Sequence, residues 1–139
     1  MTGMSIADLH DFMADAFPQV SADFTVESVE DAALVVRLNV GDRHLRPGGT
    51  VSGPSMFALA DVAVYLAILS RLGPVALAVT TNCAIDFMRK PANGAPLRAT
   101  ARLLKLGRVL AVGDVLIHSE GVAAPVARAS LTYSIPPER

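Results

Sequence analysis

The chain has no tryptophan, a single cysteine and few charged residues. The scarcity of charge and of cysteine limits the kinds of protein that the chain can be. Of its 139 residues, 18% are charged and 52% are hydrophobic, which is apolar for a small domain with much surface relative to its volume. We therefore expect part of the apolar surface to be buried between subunits. One cysteine, Cys83, cannot form an internal disulfide, which fits a reducing compartment.

Charge of either sign is sparse and scattered along the chain. The formal net charge is −1, and no basic stripe indicates a nucleic-acid partner. The N-terminal stretch carries Asp8, Asp11 and Asp15 without a basic region, so it is not typical of a secretion signal. No metal-ligand spacing of histidine or cysteine is present. These features predict a cytoplasmic protein with neither a metal site nor a nucleic-acid partner.

The pattern of apolar residues predicts one very apolar helix among strands. A helix that is apolar on all sides must be covered on all sides. An antiparallel sheet curled around a central helix, the hotdog fold, meets that need, and an ordinary two-layer α+β fold is the alternative. The predicted elements are, in chain order, a helix over 5–16, strands over 22–29 and 32–40, a Gly-rich loop over 41–53, a helix from Pro54 to Ser70, and strands over 75–89, 97–106, 109–119 and 123–135.

The apolar helix also resembles a membrane span, but two features favour a buried core helix. The stretch from Pro54 to Leu69 falls short of the roughly 20 apolar residues that a span needs. It carries Asp61 near its middle, as its only charged residue. Burying a carboxylate without partners is costly, and Asp is a poor residue inside a helix. Asp61 is therefore either a catalytic carboxylate or a structural one bonded to a hydroxyl or amide.

The start of this helix supplies a second candidate group. Amides at a helix N-terminus point outward, and Gly53 lets a substrate approach the backbone closely, as in an oxyanion hole. The structural alternative is that Gly53 merely permits the turn. Gly53 and Asp61 are eight residues apart, about 12 Å along a helix axis. One carbonyl cannot touch both in one subunit, so a shared site requires a homodimer with two antiparallel helices and two equivalent sites.

The runs HLRPGGTVSGPSMFALADVA and AVTTNCAIDFMRKPANG resemble the phenylacetate-pathway (PaaI-like) branch of the hotdog thioesterases. The resemblance covers about residues 40–135 and is most specific from Gly49 to Ala63. It implies a single hotdog thioesterase-like domain over residues 1–139 that hydrolyses acyl-CoA thioesters without a metal or cofactor. It also implies a homodimer, with pairing of two dimers into a homotetramer left open, and no membrane partner.

The resemblance implies a role for several residues. Gly53 supplies the oxyanion amide, and Asp61 of the partner subunit acts as nucleophile or as general base on water. Either Thr80 or Thr81 orients the water or the carboxylate, since the two point to opposite faces of a strand. Two positions depart from the family: Ser52-Gly53-Pro54 replaces the usual His-Gly-Gly, and Arg46 replaces an Asn or Gln. Arg46 is a cationic replacement for that amide or a ligand for CoA phosphate.

The remaining candidates concern substrate binding. Tyr65 lies one turn after Asp61 and is a candidate to line the acyl pocket, or to pack in the core. Cations near strand ends can pair with CoA phosphates, and solvated surface charge is the alternative for each. The full set of substrate-binding candidates is Arg46, Ser52, Tyr65, Arg89, Lys90 and Arg108.

Two other functions remain open. The missing histidine favours a non-catalytic module that binds acyl-CoA or a fatty ligand on the same fold. A hydratase would need an Asp–His pair, for which His44 is the candidate, although a structural loop role suits that residue better.

Overall fold

The computed structural model describes residues 3–137 of the chain and consists of two α-helices and one six-stranded sheet. Two single-turn 3₁₀ helices, at Ser21–Asp23 and Asp42–His44, lie in the connections. The helices and strands are α1 (Ile6–Ala16), β1 (Phe24–Val29), β2 (Leu34–Leu38), α2 (Gly53–Leu72), β3 (Val79–Phe87), β4 (Leu97–Leu106), β5 (Leu110–Ser119) and β6 (Ala127–Ser134).

All strand pairs are antiparallel, and the sheet order is β1-β2-β4-β5-β6-β3. The order places β1 at one edge and β3 at the other, although β3 follows α2 directly in the chain. Inward-facing residues of β4, β5 and β6 alternate with exposed ones, as expected for a sheet with one face packed on the core. The sheet is therefore one curved layer with a buried and a solvent-facing side.

Helix α2 lies on the buried side of this sheet and supplies much of the core. Its nine fully or nearly fully buried residues include Leu59, Ala63 and Leu66. The helix packs tightly against Gly113 of β5, where an added Cβ would come within 2.9 Å of both Val64 methyl groups. Real Cβ atoms are not found so close to other carbons, so the absence of a side chain at 113 lets the helix pack against the strand.

The sequence predictions of the hotdog fold and of every helix and strand are confirmed, with small shifts at the ends. Helix α2 runs from Gly53 to Leu72 rather than from Pro54 to Ser70. With 20 residues and a mean hydropathy of 1.6, it is long and apolar enough for a membrane span, so the expectation that it falls short was wrong. In the most apolar stretch of this helix, 56% is buried inside the fold. The core helix of a folded domain has the same property.

Candidate functional site

Asp61 is half-buried on α2, and two hydroxyl groups hold one of its carboxylate oxygens. Thr80 donates to Asp61 Oδ1 at 2.6 Å, and Tyr133 donates to the same oxygen at 2.7 Å. The Tyr133 hydroxyl also lies 3.1 Å from the Asp61 backbone carbonyl. Within residues 3–137, no hydrogen bond reaches the second oxygen, Oδ2. The carboxylate is thus fixed through one oxygen and available through the other.

A β-bulge determines which of the two neighbouring threonines reaches the carboxylate. In the β3–β6 register Thr80 pairs with Tyr133 and Asn82 pairs with Thr132, so Thr81 is the extra residue. Thr81 is exposed and donates to the Thr132 carbonyl at 3.3 Å. Bulges of this kind commonly re-aim side chains beside functional sites. The structure places Thr80 against Asp61 and Thr81 away from it.

Tyr133 is the residue of this cluster that the sequence analysis missed. It lies on β6, the strand that pairs with β3, and its side chain is nearly fully buried. Burial, followed by the negative charge of Asp61, raises the pKa of Tyr133 above its ordinary range. The phenol therefore stays protonated and acts as a donor to Asp61. The available signal was a tyrosine among inward-facing residues of β6 that are otherwise small or apolar.

A cavity of about 670 Å³, which we name the carboxylate cavity, opens beside Asp61. Tyr65, which was a candidate to line an acyl pocket or to pack in the core, lines this cavity and packs against the rings of Tyr133 and Phe12. The Tyr65 hydroxyl donates to the Ala76 carbonyl at 3.0 Å. The wall is mostly apolar, formed by residues that include Phe17, Val20, Phe24, Leu38, Val62 and Ala78.

The start of α2 leaves one backbone donor available. Ser52 is the N-cap and its Oγ accepts from the Ser55 N–H, while the Met56 N–H donates to the Ser52 carbonyl. Pro54 has no N–H to offer. Within residues 3–137, the N–H of Gly53 has no hydrogen-bond partner. Of the first four positions of this helix, Gly53 alone can donate to a ligand.

Gly53 lines a second cavity of about 360 Å³, which we name the amide cavity. Three cationic side chains predicted as substrate ligands, Arg46, Arg89 and Lys90, line the same cavity. The Phe87 ring packs beneath Gly53, 3.2 Å from where a Cβ would lie. Arg108 is not among the lining residues of either cavity, because it lies in the β4–β5 turn.

Asp61 and Gly53 line different cavities of one chain. They are eight residues apart on one continuous helix, so their spacing along its axis is about 12 Å. Two groups must lie within hydrogen-bond distance of the same carbonyl to act on it together. The single subunit therefore holds the two halves of the candidate site apart.

A family model described as "Thioesterase superfamily" matches residues 48–125, more than half of the chain, including α2 and Asp61. The chain belongs to the thioesterase superfamily. The superfamily match takes in the free amide of Gly53 as well as Thr80. It ends before β6, which carries Tyr133.

Solved structures place this superfamily member more narrowly. A "putative thioesterase" from Silicibacter sp. TM1040 is 56% identical, with a TM-score of 0.92 over 99% of this chain and 95% of that one. A variant of phenylacetic acid degradation protein PaaI from Thermus thermophilus is 32% identical, with a TM-score of 0.72 over 86% of this chain and 99% of that one. The chain is therefore a PaaI-like hotdog thioesterase-family protein.

A further relative matches the sequence of this chain over a shorter stretch. "Putative esterase PA0474" from Pseudomonas aeruginosa is 33% identical over 86 residues, which is 62% of this chain. The match spans 64% of that relative, less than two thirds of its length.

Two further residues of this thioesterase-family chain bear on the alternative chemistries. Cys83 is half-buried, and its burial, followed by the negative charge of Asp61, raises the pKa of its thiol. The thiol therefore stays protonated and is a poor nucleophile. His44 lines the carboxylate cavity, but its Nδ1 accepts from the Gly41 N–H at 2.8 Å and its Nε2 faces Asp23. Neither nitrogen is placed to act as a base beside Asp61, which disfavours the hydratase alternative.

Proposed function

We propose that this chain hydrolyses acyl-CoA thioesters as a homodimer, at two equivalent sites that each join the carboxylate cavity of one subunit to the amide cavity of the other. The proposal rests on the separation of the two candidate catalytic groups, Asp61 and the Gly53 amide, along α2. The free oxygen of Asp61 and the free amide of Gly53 are both available, yet they open into separate cavities. An antiparallel second α2 would bring the two together across a two-fold axis.

The open edge of β3 supports the dimer. Strand β3 has nine residues, is exposed over most of its length, and lies at the end of the sheet order. Long apolar edge strands invite pairing with another chain. The opposite edge, β1, has six residues and a bulge, which protects it. Exposed apolar residues cluster on or next to β3, and they are Leu77 (78% exposed), Val79 (55%), Phe87 (51%) and Met88 (43%).

The proposed reaction uses Asp61 as general base or as nucleophile. As a base, its Oδ2 takes a proton from water while the water oxygen bonds to the thioester carbonyl carbon. The partner subunit's Gly53 donates its N–H to the carbonyl oxygen as that oxygen gains negative charge. The carbon–sulfur bond then breaks, CoA leaves as thiolate, and the Asp61 carboxyl returns the proton to sulfur. As a nucleophile, Asp61 Oδ2 bonds to the carbonyl carbon, the carbon–sulfur bond breaks and CoA leaves as thiolate. Water then hydrolyses the resulting acyl anhydride and regenerates the carboxylate.

The cations of the amide cavity supply the charge needed to bind CoA. The phosphates of CoA are anionic, and arginine and lysine pair with such groups through charge-assisted hydrogen bonds. Arg46, Arg89 and Lys90 line the cavity that also holds the Gly53 amide. The thioester and the phosphates would thus enter from the same side, with the acyl group directed into the partner's carboxylate cavity.

A heterodimer of two inactive variants tests the shared site. Asp61→Asn removes the base. Gly53→Pro removes the amide hydrogen at the first helical position, which proline suits by its backbone angles, although its ring must displace the Phe87 side chain. Each homodimer should lose at least about 100-fold in kcat. The heterodimer, purified through a different affinity tag on each chain, has one intact and one doubly altered site. It should recover about half of the wild-type rate.

A heterodimer as inactive as its two parents would show that Gly53 and Asp61 do not act across the subunits. Circular dichroism of both homodimers controls for folding. Assay of a panel of acyl-CoA substrates by thiol release tests the hydrolase assignment itself.

A binding module is the second candidate, and the N-terminus of α2 favours it. Ser52 uses its hydroxyl to cap the helix and to bond to Ser55 at 3.0 Å, and Pro54 offers no amide. A single oxyanion donor therefore remains. Tight acyl-CoA binding by the wild type, with no thiol release across the panel, would favour this function over hydrolysis.

A further inference from the structure

The carboxylate cavity has a second polar group apart from Asp61 and its hydroxyl donors. Asp23 and His44 both line it, although most of the remaining wall is apolar. The other polar side chains of the wall already have partners: the Ser55 hydroxyl is bonded to Ser52, and the Tyr65 hydroxyl donates to a backbone carbonyl. The Asp23–His44 pair is thus the polar feature of this wall that the proposed reaction does not use.

The pair presents both an acceptor and a donor. Arg43 binds Oδ1 of Asp23, while Oδ2 lies 3.5 Å from His44 Nε2. Since Nδ1 of His44 accepts from the Gly41 N–H, the neutral ring carries its hydrogen on Nε2. Burial, then the charge of Arg43, lowers the pKa of His44, which favours this neutral form. The 3.5 Å separation exceeds a normal hydrogen bond, so both atoms can still bond to a third group.

The backbone of His44 contacts the N-terminal end of α2, whereas Asp61 lies more than two turns further along the helix. The His44 backbone carbonyl accepts from the Ser52 N–H at 2.8 Å, which places His44 beside the start of α2. Asp61 is nine residues further along the helix than Ser52, about 13 Å along its axis. The side chains of α2 that line the cavity between them include Pro54 and Ala58. A ligand that reaches both polar groups would therefore need an apolar body between two polar ends.

We propose that Asp23 and His44 form a specificity subsite for a hydroxyl group on the acyl chain, remote from the thioester. The inference rests on the proposed thioesterase function and names the class of acyl group that the site prefers. The hydroxyl donates to Asp23 Oδ2 and accepts from the His44 Nε2–H. Arg43 holds the carboxylate in place through its other oxygen.

The chemistry of the pair selects a hydroxyl over other groups. A carboxylate at the end of the acyl chain would be repelled by Asp23. An ammonium group would gain little from Asp23, because Arg43 already balances that charge. It also has no lone pair to accept a hydrogen bond from His44. A plain alkyl end would strip water from Asp23 Oδ2 without replacing its hydrogen bond, which is costly. A hydroxyl is both donor and acceptor and satisfies both atoms.

The wild-type protein supplies the first test. Straight-chain acyl-CoA thioesters of increasing length are each compared with the thioester that carries a hydroxyl on the terminal carbon. At the length that spans the cavity, kcat/KM should be about tenfold or more higher for the hydroxylated substrate, as expected for a hydrogen bond to a charged group. Equal kcat/KM within every pair would overturn the subsite while leaving the thioesterase function intact.

Matched variants supply the second test. Asp23→Asn should lower kcat/KM for the preferred hydroxylated substrate about tenfold and so collapse the preference. Asp42→Asn makes the same charge change at an exposed position two residues before His44, outside the lining of the cavity, and should keep the preference. A preference unchanged in Asp23→Asn would overturn the subsite. Absence of thiol release from every substrate would instead refute the proposed function, and the subsite with it.

Discussion

The carboxylate cavity and the amide cavity border the same helix and are lined by charged groups of opposite sign. The first is larger and mostly apolar, and it contains the Asp61 carboxylate, which two hydroxyls hold in place. The second is smaller and contains one free backbone donor with three cationic side chains. In the proposed function, acyl binding and proton transfer take place in the first cavity and anion binding in the second, and one chain keeps the two apart. A second subunit is the simplest way to bring the two functions to one carbonyl.

The largest effect is expected from the carboxylate cavity. Asp61→Asn keeps the side-chain shape and an oxygen that can accept from Thr80 and Tyr133, but it removes the base or nucleophile. We expect kcat for acyl-CoA hydrolysis to fall by about 100-fold to 10,000-fold, with little change in fold. Steady-state thiol release measures the effect. A rate near that of the wild type would remove Asp61 from the chemistry.

Asp114→Asn is the matched control for that change. Asp114 is exposed on β5, away from the open edge of β3, and lines neither the carboxylate cavity nor the amide cavity. Substitutions at such exposed positions have little effect on stability. The control should therefore hydrolyse the same substrates at nearly the wild-type rate.

An intermediate effect is expected from the hydroxyl that holds Asp61. Tyr133→Phe removes a hydrogen bond to a charged group and should lower kcat about tenfold. Tyr65→Phe removes a hydroxyl from the same cavity, but one that donates to a backbone carbonyl, so its loss of kcat should be smaller. Equal losses in the two variants would show that Tyr133 acts by packing rather than through Asp61.

Alkaline pH gives the same pair of variants a second readout. The pKa of Tyr133 is raised by burial and by Asp61 from its ordinary value of 10.0, so the folded state holds this proton more tightly than the unfolded state. Its contribution to the free energy of unfolding is complete below pH 10 and is lost as the pH rises above that value. Burial raises the pKa of Tyr65 as well. Denaturant titrations should show that Tyr133→Phe flattens the alkaline decline more than Tyr65→Phe does.

The smallest effect is expected at the start of α2, beside the amide cavity. Ser52→Ala removes the acceptor of the Ser55 N–H and should lower the free energy of unfolding by about 1 kcal/mol. Ser130→Ala, at an exposed position of β6, should change it by less than about 0.5 kcal/mol. Urea denaturation measures both. Equal stabilities would mean that Ser52 does not contribute as a cap.

Local pattern was enough to predict most of the fold and the most prominent site residue. The apolar run around Asp61 indicated both a covered helix and a carboxylate that needs partners, and the hotdog fold follows from the need to cover that helix. The choice between Thr80 and Thr81 could not be predicted, because it depends on a bulge in the pairing of β3 with β6. A strand read alone carries no information about such register shifts.

Residues that meet through long-range pairing were missed for the same reason. Tyr133 is 72 positions from Asp61 and reaches it only because β6 pairs with β3. Asp23 and His44 meet because the pairing of β1 with β2 brings the residue before β1 close to the residues after β2. Neither pairing leaves a periodic signal in the sequence.

The missing side chain at Gly113 determines where the acid of the site lies. Val64, which fills the space above that glycine, is three residues after Asp61 on the same rigid helix. A side chain at 113 would meet the Val64 methyl groups at 2.9 Å, so Val64 or α2 itself would have to shift. A shift of α2 would also disturb the short hydrogen bond between Thr80 and Asp61. The position of the carboxylate thus depends on the neighbouring turn of the helix, and through it on a strand that contributes no atom to the proposed chemistry.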